Sequence, residues 1–211
     1  MTSSVYIIAI AGPSCAGKTE LSKTLAHELS CPTLLLDSYY RDLSGLTPAQ
    51  RARVNFDEPG ALDEALLIRQ VHALSRGESV ARPAYDFATH TRIPKAENFA
   101  ASEFLIVEGL FALYWPELRD VAGTKIFVNA PDDVCLHRRL MRDVVERGRT
   151  AESVISQFQL TVQPMANLYV RPTAKYADLR LSGEQSLSTS MDAVLNHVYR
   201  NSPTLPRFSV A

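Results

Sequence analysis

Residues 12–19 carry the clearest chemical signal in the chain, because they fit the pattern GxxxxGK[ST] at every fixed position. Gly12 and Gly17 tolerate backbone dihedrals that side chains forbid, which lets consecutive N–H groups curl around an anion. In such a loop Lys18 reaches the β- and γ-phosphates of a nucleotide, and the Thr19 hydroxyl ligates the accompanying Mg²⁺. We therefore predict that ATP or GTP binds through Gly12, Pro13, Ser14, Cys15, Ala16, Gly17, Lys18, Thr19 and Glu20.

Two other apolar runs end in a carboxylate. Thr33–Asp37 closes with Asp37, and Phe104–Gly109 contains Glu108 just before its end. The carboxyl ends of parallel strands open on the ligand crevice of an α/β sheet, so both acids are predicted to lie beside the phosphate-binding loop. Phosphoryl transfer needs groups that position an oxygen and balance charge, and two acids there would serve it. The alternative for either acid is a helix cap or a satisfied loop carboxylate.

A cluster of arginines occupies the helix predicted between Pro131 and Gly148. Arg138, Arg139 and Arg142 fall within about 100° of arc on that helix, so they share a face. Arg147 and Arg149 flank the Gly148 break. A guanidinium presents a rigid fork of donors that matches phosphate oxygens. A phosphate-facing cluster is our interpretation, although a solvated helix face is the ordinary alternative for single members such as Arg138.

The remaining pattern predicts the elements that position these residues. The apolar run Val5–Ala11 precedes the phosphate-binding loop, and leucines spaced by four follow it, as expected for strand, loop and helix. Further strands are predicted at 125–129 and 176–181, and further helices at 48–54, 61–76, from 150 onward with a disturbance at Pro164, and at 188–200. Strand-like alternation over 83–92 predicts a hairpin with its turn near Ala88-Thr89.

Five strand candidates alternating with helices predict an α/β fold with a doubly wound, parallel five-stranded sheet. At 211 residues the chain is expected to form one domain, residues 1–211. The net charge of −1 gives no reason to expect nucleic acid as a partner. Three scattered cysteines suggest a reducing compartment, and no apolar stretch is long enough for a membrane span. We therefore expect a cytoplasmic protein that acts on a small molecule and not on a membrane.

Several stretches taken together resemble the uridine/cytidine kinase family of P-loop kinases, which is related to phosphoribulokinase. They are GPSCAGKT at 12–19, DSYYRDL at 37–43, NFDEPGALD at 55–63, YDFATHTR at 85–92, LIVEGLFAL at 105–113 and RRLMRDVVERGR at 138–149, in the family's order. The resemblance continues through KYAD at 175–178 and fades after Leu181. It implies a P-loop NTPase fold with a base-binding hairpin at 79–95 and an arginine-rich lid at 138–150.

The resemblance also implies an activity, namely ATP-dependent phosphorylation of the 5′-hydroxyl of uridine and cytidine in pyrimidine salvage. It makes Asp37 the general base and places Thr19, Asp37 and Glu108 at the magnesium. It also implies that Lys18, Arg139 and Arg142 act on the transferring phosphoryl group. The nucleoside would be held by Tyr40, Asp57, Arg149 and Gln157, with Tyr85, Phe87 and His90 at its base. For the aromatic residues and His90, packing of an ordinary strand is the alternative. A homo-oligomer, a tetramer, is suggested by the family alone.

Other readings stay open on sequence grounds. A kinase of the same fold that acts on phosphoribulose, pantothenate or nicotinamide riboside is the nearer rival, and the stretch YDFATHTR argues against it. A regulatory nucleotide switch is favoured less, because no NKxD motif is present. The chain also departs from the family at Glu58, at Gly60 and in residues 179–184. The departure at 179–184 leaves the surroundings of the donor base and any inhibition by nucleoside triphosphates open.

Overall fold

The computed structural model describes residues 5–202, and a parallel sheet of five strands forms its centre. In chain order these strands are β1 (Tyr6–Ala11), β2 (Thr33–Leu35), β5 (Phe104–Glu108), β6 (Ala122–Asn129) and β7 (Leu179–Ser182). Their spatial order is β2-β5-β1-β6-β7, and every neighbouring pair is parallel. The predicted α/β architecture with a five-stranded parallel sheet is confirmed.

Residues 5–202 contain eight α-helices, several of which pack on the faces of this sheet. They are α1 (Lys18–Glu28), α2 (Pro48–Arg51), α3 (Glu64–Ser75), α4 (Pro116–Val121), α5 (Asp132–Arg147), α6 (Ala151–Gln157), α7 (Gln163–Met165) and α8 (Leu187–Asn201). Alternate residues of β1 point to opposite faces, so Ile7 packs in one apolar cluster and Ile8 in the other. Burial on both faces explains why the strands read as continuous apolar runs.

A separate antiparallel hairpin joins α3 to the sheet. It consists of β3 (Val80–Asp86) and β4 (Thr91–Phe99), paired from Val80 with Phe99 to Asp86 with Thr91. The turn of residues 87–90 falls where the alternation predicted it. β4 runs to Phe99, beyond residue 95, because its outer half pairs with the first residues of β3.

Several predicted bounds differ from the structure. β2 ends at Leu35, and Asp37 lies in the 3-10 turn Leu36–Tyr39 that follows. β7 begins at Leu179, because another 3-10 segment occupies Arg171–Tyr176. α3 begins at Glu64, where the Asp63 side chain accepts a hydrogen bond from the Leu66 N–H as an N-cap.

The helical run after Thr150 differs from expectation near its proline. The helix α6 ends at Gln157, seven residues before Pro164, and π turns at Phe158–Val162 and Ala166–Val170 flank the short helix α7. A proline removes one backbone donor and crowds the preceding turn, and wider turns on each side accommodate both effects. No helix within residues 5–202 combines the length and apolar character needed to cross a membrane.

Candidate active site

The loop between β1 and α1 has the backbone that an anion cradle requires. Gly12 and Gly17 have φ values of +150° and +110°. A Cβ on Gly12 would lie 2.0 Å from the Val128 carbonyl oxygen, so only glycine fits there. The Lys18 ammonium is buried and donates to the Pro13 carbonyl at 2.9 Å, which holds the amine across the mouth of the loop. Residues 6–28 therefore form the predicted strand, loop and helix in sequence.

The two strand-end acids lie together beside this loop. The Thr19 hydroxyl donates to Glu108 Oε2 at 3.4 Å. Burial raises the pKa of the Glu108 carboxyl, Lys18 opposes that rise, and Asp37 adds to it. The side chain of Asp37 is open to solvent, but the surrounding protein displaces much of its water and thereby raises the pKa of its carboxyl. Lys18 and Tyr40 lower this pKa but do not cancel the rise. The two carboxylates thus share one site.

These three oxygen-bearing side chains suit a hard divalent cation. Mg²⁺ is usually held by one or two carboxylates together with substrate phosphates and water. Thr19, Asp37 and Glu108 offer this kind of set, and a bound cation would favour the charged form of the two acids, whose pKa burial raises. Within residues 5–202 no cluster of three or more His, Cys, Asp or Glu side chains forms a self-sufficient metal site. The residues therefore fit a magnesium ion that arrives with a nucleotide.

The arginines of the predicted lid surround Asp143, whose side chain is fully buried. Among residues 5–202, four arginine side chains approach its carboxylate, at 2.8 to 3.5 Å: Arg139, Arg142, Arg147 and Arg149. Burial alone would raise the pKa of Asp143, but the hydrogen bond from Arg142 and the surrounding positive charges outweigh it, and the net shift is downward. One carboxylate among four guanidinium groups leaves this cluster with a large positive excess.

Arg139 connects the phosphate-binding loop to the helix that follows the lid. Its Nη1 donates to Ser14 Oγ at 3.0 Å and its Nη2 to Gln157 Oε1 at 3.2 Å. Arg149 Nη1 donates to the same Gln157 oxygen at 2.6 Å. The predicted site residues Arg139, Arg149 and Gln157 are therefore in direct contact, on one side of the crevice.

Arg138 points to the other side of the phosphate-binding loop. It donates to the Gly183 carbonyl at 2.8 Å and, at longer range, to the carbonyls of Cys15 and Ala16. The alternative of a solvated helix face is therefore wrong for Arg138. It lines a cleft of about 760 Å³ bounded by the loop, α1, α5 and the turn after β7. Gly183 packs so closely that a Cβ there would lie 1.8 Å from the Ala16 carbonyl oxygen.

An aromatic cluster forms the opposite side of the crevice. The rings of Tyr40 and Tyr85 have centroids 5.5 Å apart, Tyr85 and Phe87 lie 5.3 Å apart, and Phe56 stacks on His90 at 4.7 Å. Tyr85 is buried, whereas Phe87 is 56% exposed at the turn, so ordinary core packing does not explain both. The Tyr85 hydroxyl is buried without a hydrogen-bond partner among residues 5–202. An unmade hydrogen bond of this kind costs about 1 to 3 kcal/mol.

Asp57 lies between the aromatic and the arginine sides. Burial raises the pKa of its carboxyl, Asp37 adds to the rise, and Arg139 and Arg142 oppose it. The Tyr40 hydroxyl donates to the Phe56 carbonyl at 3.2 Å, which anchors the segment before Asp57. The acids Asp37 and Asp57 are thus close enough to influence each other and the lid arginines.

The sequence interpretation missed three residues of this region. Asp143 carried a signal, since it stands four residues after Arg139 on one helix face and four before Arg147. Phe56 and Arg51 carried none, because only the folded chain brings them to the hairpin turn.

Comparisons with known proteins find relatives of this chain in sequence and in fold. The sequence profile described as "Phosphoribulokinase / Uridine kinase family" matches residues 7–190. The uridine kinase of Shewanella amazonensis is 41% identical over 180 residues, covering 82% of this chain and 85% of that protein. The uridine kinase of Chloroflexus aurantiacus is 39% identical over 201 residues, covering 94% and 96%. The solved phosphoribulokinase of Rhodobacter spheroides superposes with a TM-score of 0.65 at 15% identity, covering 86% and 73%, a likeness of fold.

Proposed function

The chain belongs to the Phosphoribulokinase / Uridine kinase family, and we propose that it phosphorylates the 5′-hydroxyl of uridine and cytidine. ATP or GTP would donate the γ-phosphoryl group. The products, UMP and CMP, would serve pyrimidine salvage. The observation that carries the proposal is the position of Asp37. This carboxylate lies within the electrostatic reach of Lys18 on the phosphate-binding loop and of Tyr40, whose ring packs on Tyr85 of the hairpin. A base between a phosphate cradle and an aromatic pocket suits transfer to a nucleoside.

In this proposal each side of the crevice has a distinct task. Asp37 accepts the proton of the 5′-hydroxyl as the oxygen attacks. Lys18, Arg139 and Arg142 balance the negative charge on the transferring phosphoryl, for which guanidinium forks are well suited. Asp57, Tyr40, Arg149 and Gln157 hold the ribose, and the contact of Arg139 with both Ser14 and Gln157 supports a crevice in which donor and acceptor meet.

We assign a Mg²⁺ site to Thr19, Asp37 and Glu108, because these side chains supply the oxygen donors that the ion prefers. When bound, the ion supplies charge neutralisation between the β- and γ-phosphates. Glu108 is buried, so replacing it by Gln should raise the Mg²⁺ concentration needed for activity while leaving the KM for the nucleoside near its original value.

The base would enter the cluster of Tyr85, Phe87 and His90. Uracil presents a donor at N3 beside an acceptor at O4, and cytosine presents the opposite pattern. A neutral imidazole can change tautomer and a phenol can turn its hydroxyl, so both side chains can serve either base. The Tyr85 hydroxyl, which has no hydrogen-bond partner among residues 5–202, supports such a ligand.

We extend the proposal to the setting of the enzyme. One kinase domain would span residues 1–211, and its partner would be a nucleoside and not a nucleic acid or a membrane. The free thiols of Cys15, Cys31 and Cys135 support a reducing, cytoplasmic location. A homo-oligomer, a tetramer by resemblance, would appear in size-exclusion chromatography coupled to light scattering.

The decisive experiment is a substrate panel with ATP and Mg²⁺. The acceptors offered in turn would be uridine, cytidine, adenosine, phosphoribulose, pantothenate and nicotinamide riboside. Mass spectrometry would identify the phosphorylated product. We expect UMP and CMP, and no product with Lys18→Ala at an unchanged melting temperature. Efficient phosphorylation of a different acceptor, or nucleotide hydrolysis that needs no acceptor, would overturn the assignment.

A further inference from the structure

Arg51 lies at the end of α2, outside the residues that the proposed reaction uses, and its side chain donates to three backbone carbonyls. Its Nε donates to the Leu46 carbonyl at 2.9 Å, its Nη1 to the Thr89 carbonyl at 2.9 Å and its Nη2 to the Ser44 carbonyl at 3.1 Å. Thr89 belongs to the hairpin turn, whereas the other two acceptors belong to the loop before α2. One planar guanidinium therefore fastens the turn to that loop.

The fastened turn carries His90. This residue adopts a left-handed backbone conformation, with φ of +55°, which is uncommon outside glycine but which histidine, like asparagine and aspartate, adopts more often than other residues. Its ring stacks on Phe56 at 4.7 Å, and Phe56 lies in the segment that follows α2. The bond from Arg51 to Thr89 acts on the residue directly before His90. The position of the imidazole thus depends on contacts that Arg51 maintains.

We propose that Arg51 is a positioning residue that holds the hairpin turn against the loop before α2. By fixing the turn, Arg51 determines how the enzyme discriminates uridine from cytidine. This inference rests on the proposed function, because it assumes that a pyrimidine base binds at His90. It goes beyond that function by naming the residue that fixes the base-reading group.

Arg51 also acts on the charge of the imidazole. Burial lowers the pKa of His90, the positive charge of Arg51 lowers it further, and Asp86 of β3 opposes both effects. Phe56 adds only an uncharged ring. A neutral imidazole can donate or accept, but an imidazolium can only donate, so it can pair with O4 of uracil and not with the amino group of cytosine. Arg51 therefore keeps both substrates usable toward lower pH.

The test measures kcat and KM for uridine, cytidine and ATP across roughly pH 5.5 to 8, where imidazoles titrate. The proteins are the full-length wild type, Arg51→Ala, Arg51→Lys and a control, Arg53→Ala, whose side chain is exposed two residues further on. The informative quantity is the ratio of kcat/KM for uridine to that for cytidine. Ionisations that affect both substrates equally, including those of Asp37 and the nucleotide, cancel in this ratio.

We expect the wild-type ratio to rise as the pH falls through the pKa of His90. In Arg51→Ala the rise should begin at higher pH, and the KM of both nucleosides should increase about tenfold, as for the loss of a charged hydrogen bond, with kcat and the KM for ATP little changed. Arg51→Lys keeps the charge but not the fork, so it should raise KM without moving the pH of the rise. Arg53→Ala should match wild type.

Three other results would contradict the role of Arg51 or the proposed function. An Arg51→Ala enzyme with wild-type KM values and an unshifted ratio would overturn the role of Arg51. A KM for ATP that rises as much as those for the nucleosides would show general damage and would also overturn it. A wild type that phosphorylates neither pyrimidine would overturn the proposed function, and the inference with it.

Discussion

The two sides of the crevice are built in opposite ways. The arginine side collects its charges from one stretch of chain, residues 138–157, around the buried carboxylate of Asp143. The aromatic side collects rings from three distant stretches, at Tyr40, Phe56 and residues 85–90. The first is rich in charge and interlocked by ion pairs, and the second has one buried hydroxyl unpaired within residues 5–202.

This contrast suggests a division of labour. A fixed, positively charged scaffold stabilises charge that develops during phosphoryl transfer, so its loss should lower kcat. A pocket of rings with few polar groups selects a ligand by shape and hydrogen bonding, so its loss should act mainly on kcat/KM through binding. Substitutions on the two sides should therefore differ in kind as well as in size.

The largest effect is expected from Arg139→Ala. Arg139 joins Ser14 to Gln157, and a positioned arginine of this type is worth about 10³ to 10⁵ in rate. We expect kcat to fall by that order in steady-state kinetics with saturating uridine. Arg139→Lys, which keeps the charge but cannot span both partners, should recover only part of the loss. A change confined to KM would contradict the division.

Asp37→Asn should rank second. The amide keeps the shape of the side chain but cannot accept the 5′-hydroxyl proton, and positioned acid–base groups contribute about 10² to 10⁴ in rate. We expect kcat to fall within this range, while the Kd of uridine, measured by calorimetry, changes little. Asp192→Asn in α8, an exposed position, is the matched control. If kcat held and only KM rose, Asp37 would be a binding residue.

Asp143→Asn tests the centre of the arginine side. Removing one partner from a buried ion pair typically costs about 3 to 5 kcal/mol, and here four guanidinium groups lose their carboxylate. We expect a fall of that size in the free energy of unfolding, measured by urea denaturation. The value should stay near wild type if the arginines are held mainly by Ser14, Ser153 and Gln157.

The same variant tests the pH dependence of stability. The pKa of Asp143 is lower in the folded protein than its ordinary value of 3.8, so its contribution to stability is complete above that value and is lost as the pH falls through the folded pKa. Wild type should therefore lose stability more steeply than Asp143→Asn as the pH drops below about 3.8. Parallel acid-unfolding curves would argue against this origin.

The smallest effect is expected on the aromatic side, from His90→Phe. The ring still stacks on Phe56, but a buried base edge loses a partner at a cost of about 1 to 3 kcal/mol. We expect kcat/KM to fall for uridine and cytidine alike, with stability unchanged. His27→Phe, at an exposed position near the end of α1, is the control. A variant unchanged on both pyrimidines would remove His90 from the base site.

Sequence patterns alone predict the phosphate-binding loop, the acids at the strand ends, the order of elements and the arginine helix. Each of these depends on residues that are close in the chain, where the spacing of apolar and charged side chains reflects local geometry. The resemblance to a family supplied the roles of Tyr40, Asp57, Arg149 and Gln157, whose assignment stays a prediction.

Which distant residues meet depends on the packing of the whole chain. The fold places Asp143 among four arginines, Arg139 between Ser14 and Gln157, and Arg51 and Phe56 beside the turn that carries His90. No periodicity marks Arg51, because its partners are backbone carbonyls, which every residue possesses. Contacts of this kind depend on how the loop and the hairpin pack against each other, and that packing is fixed by the whole fold.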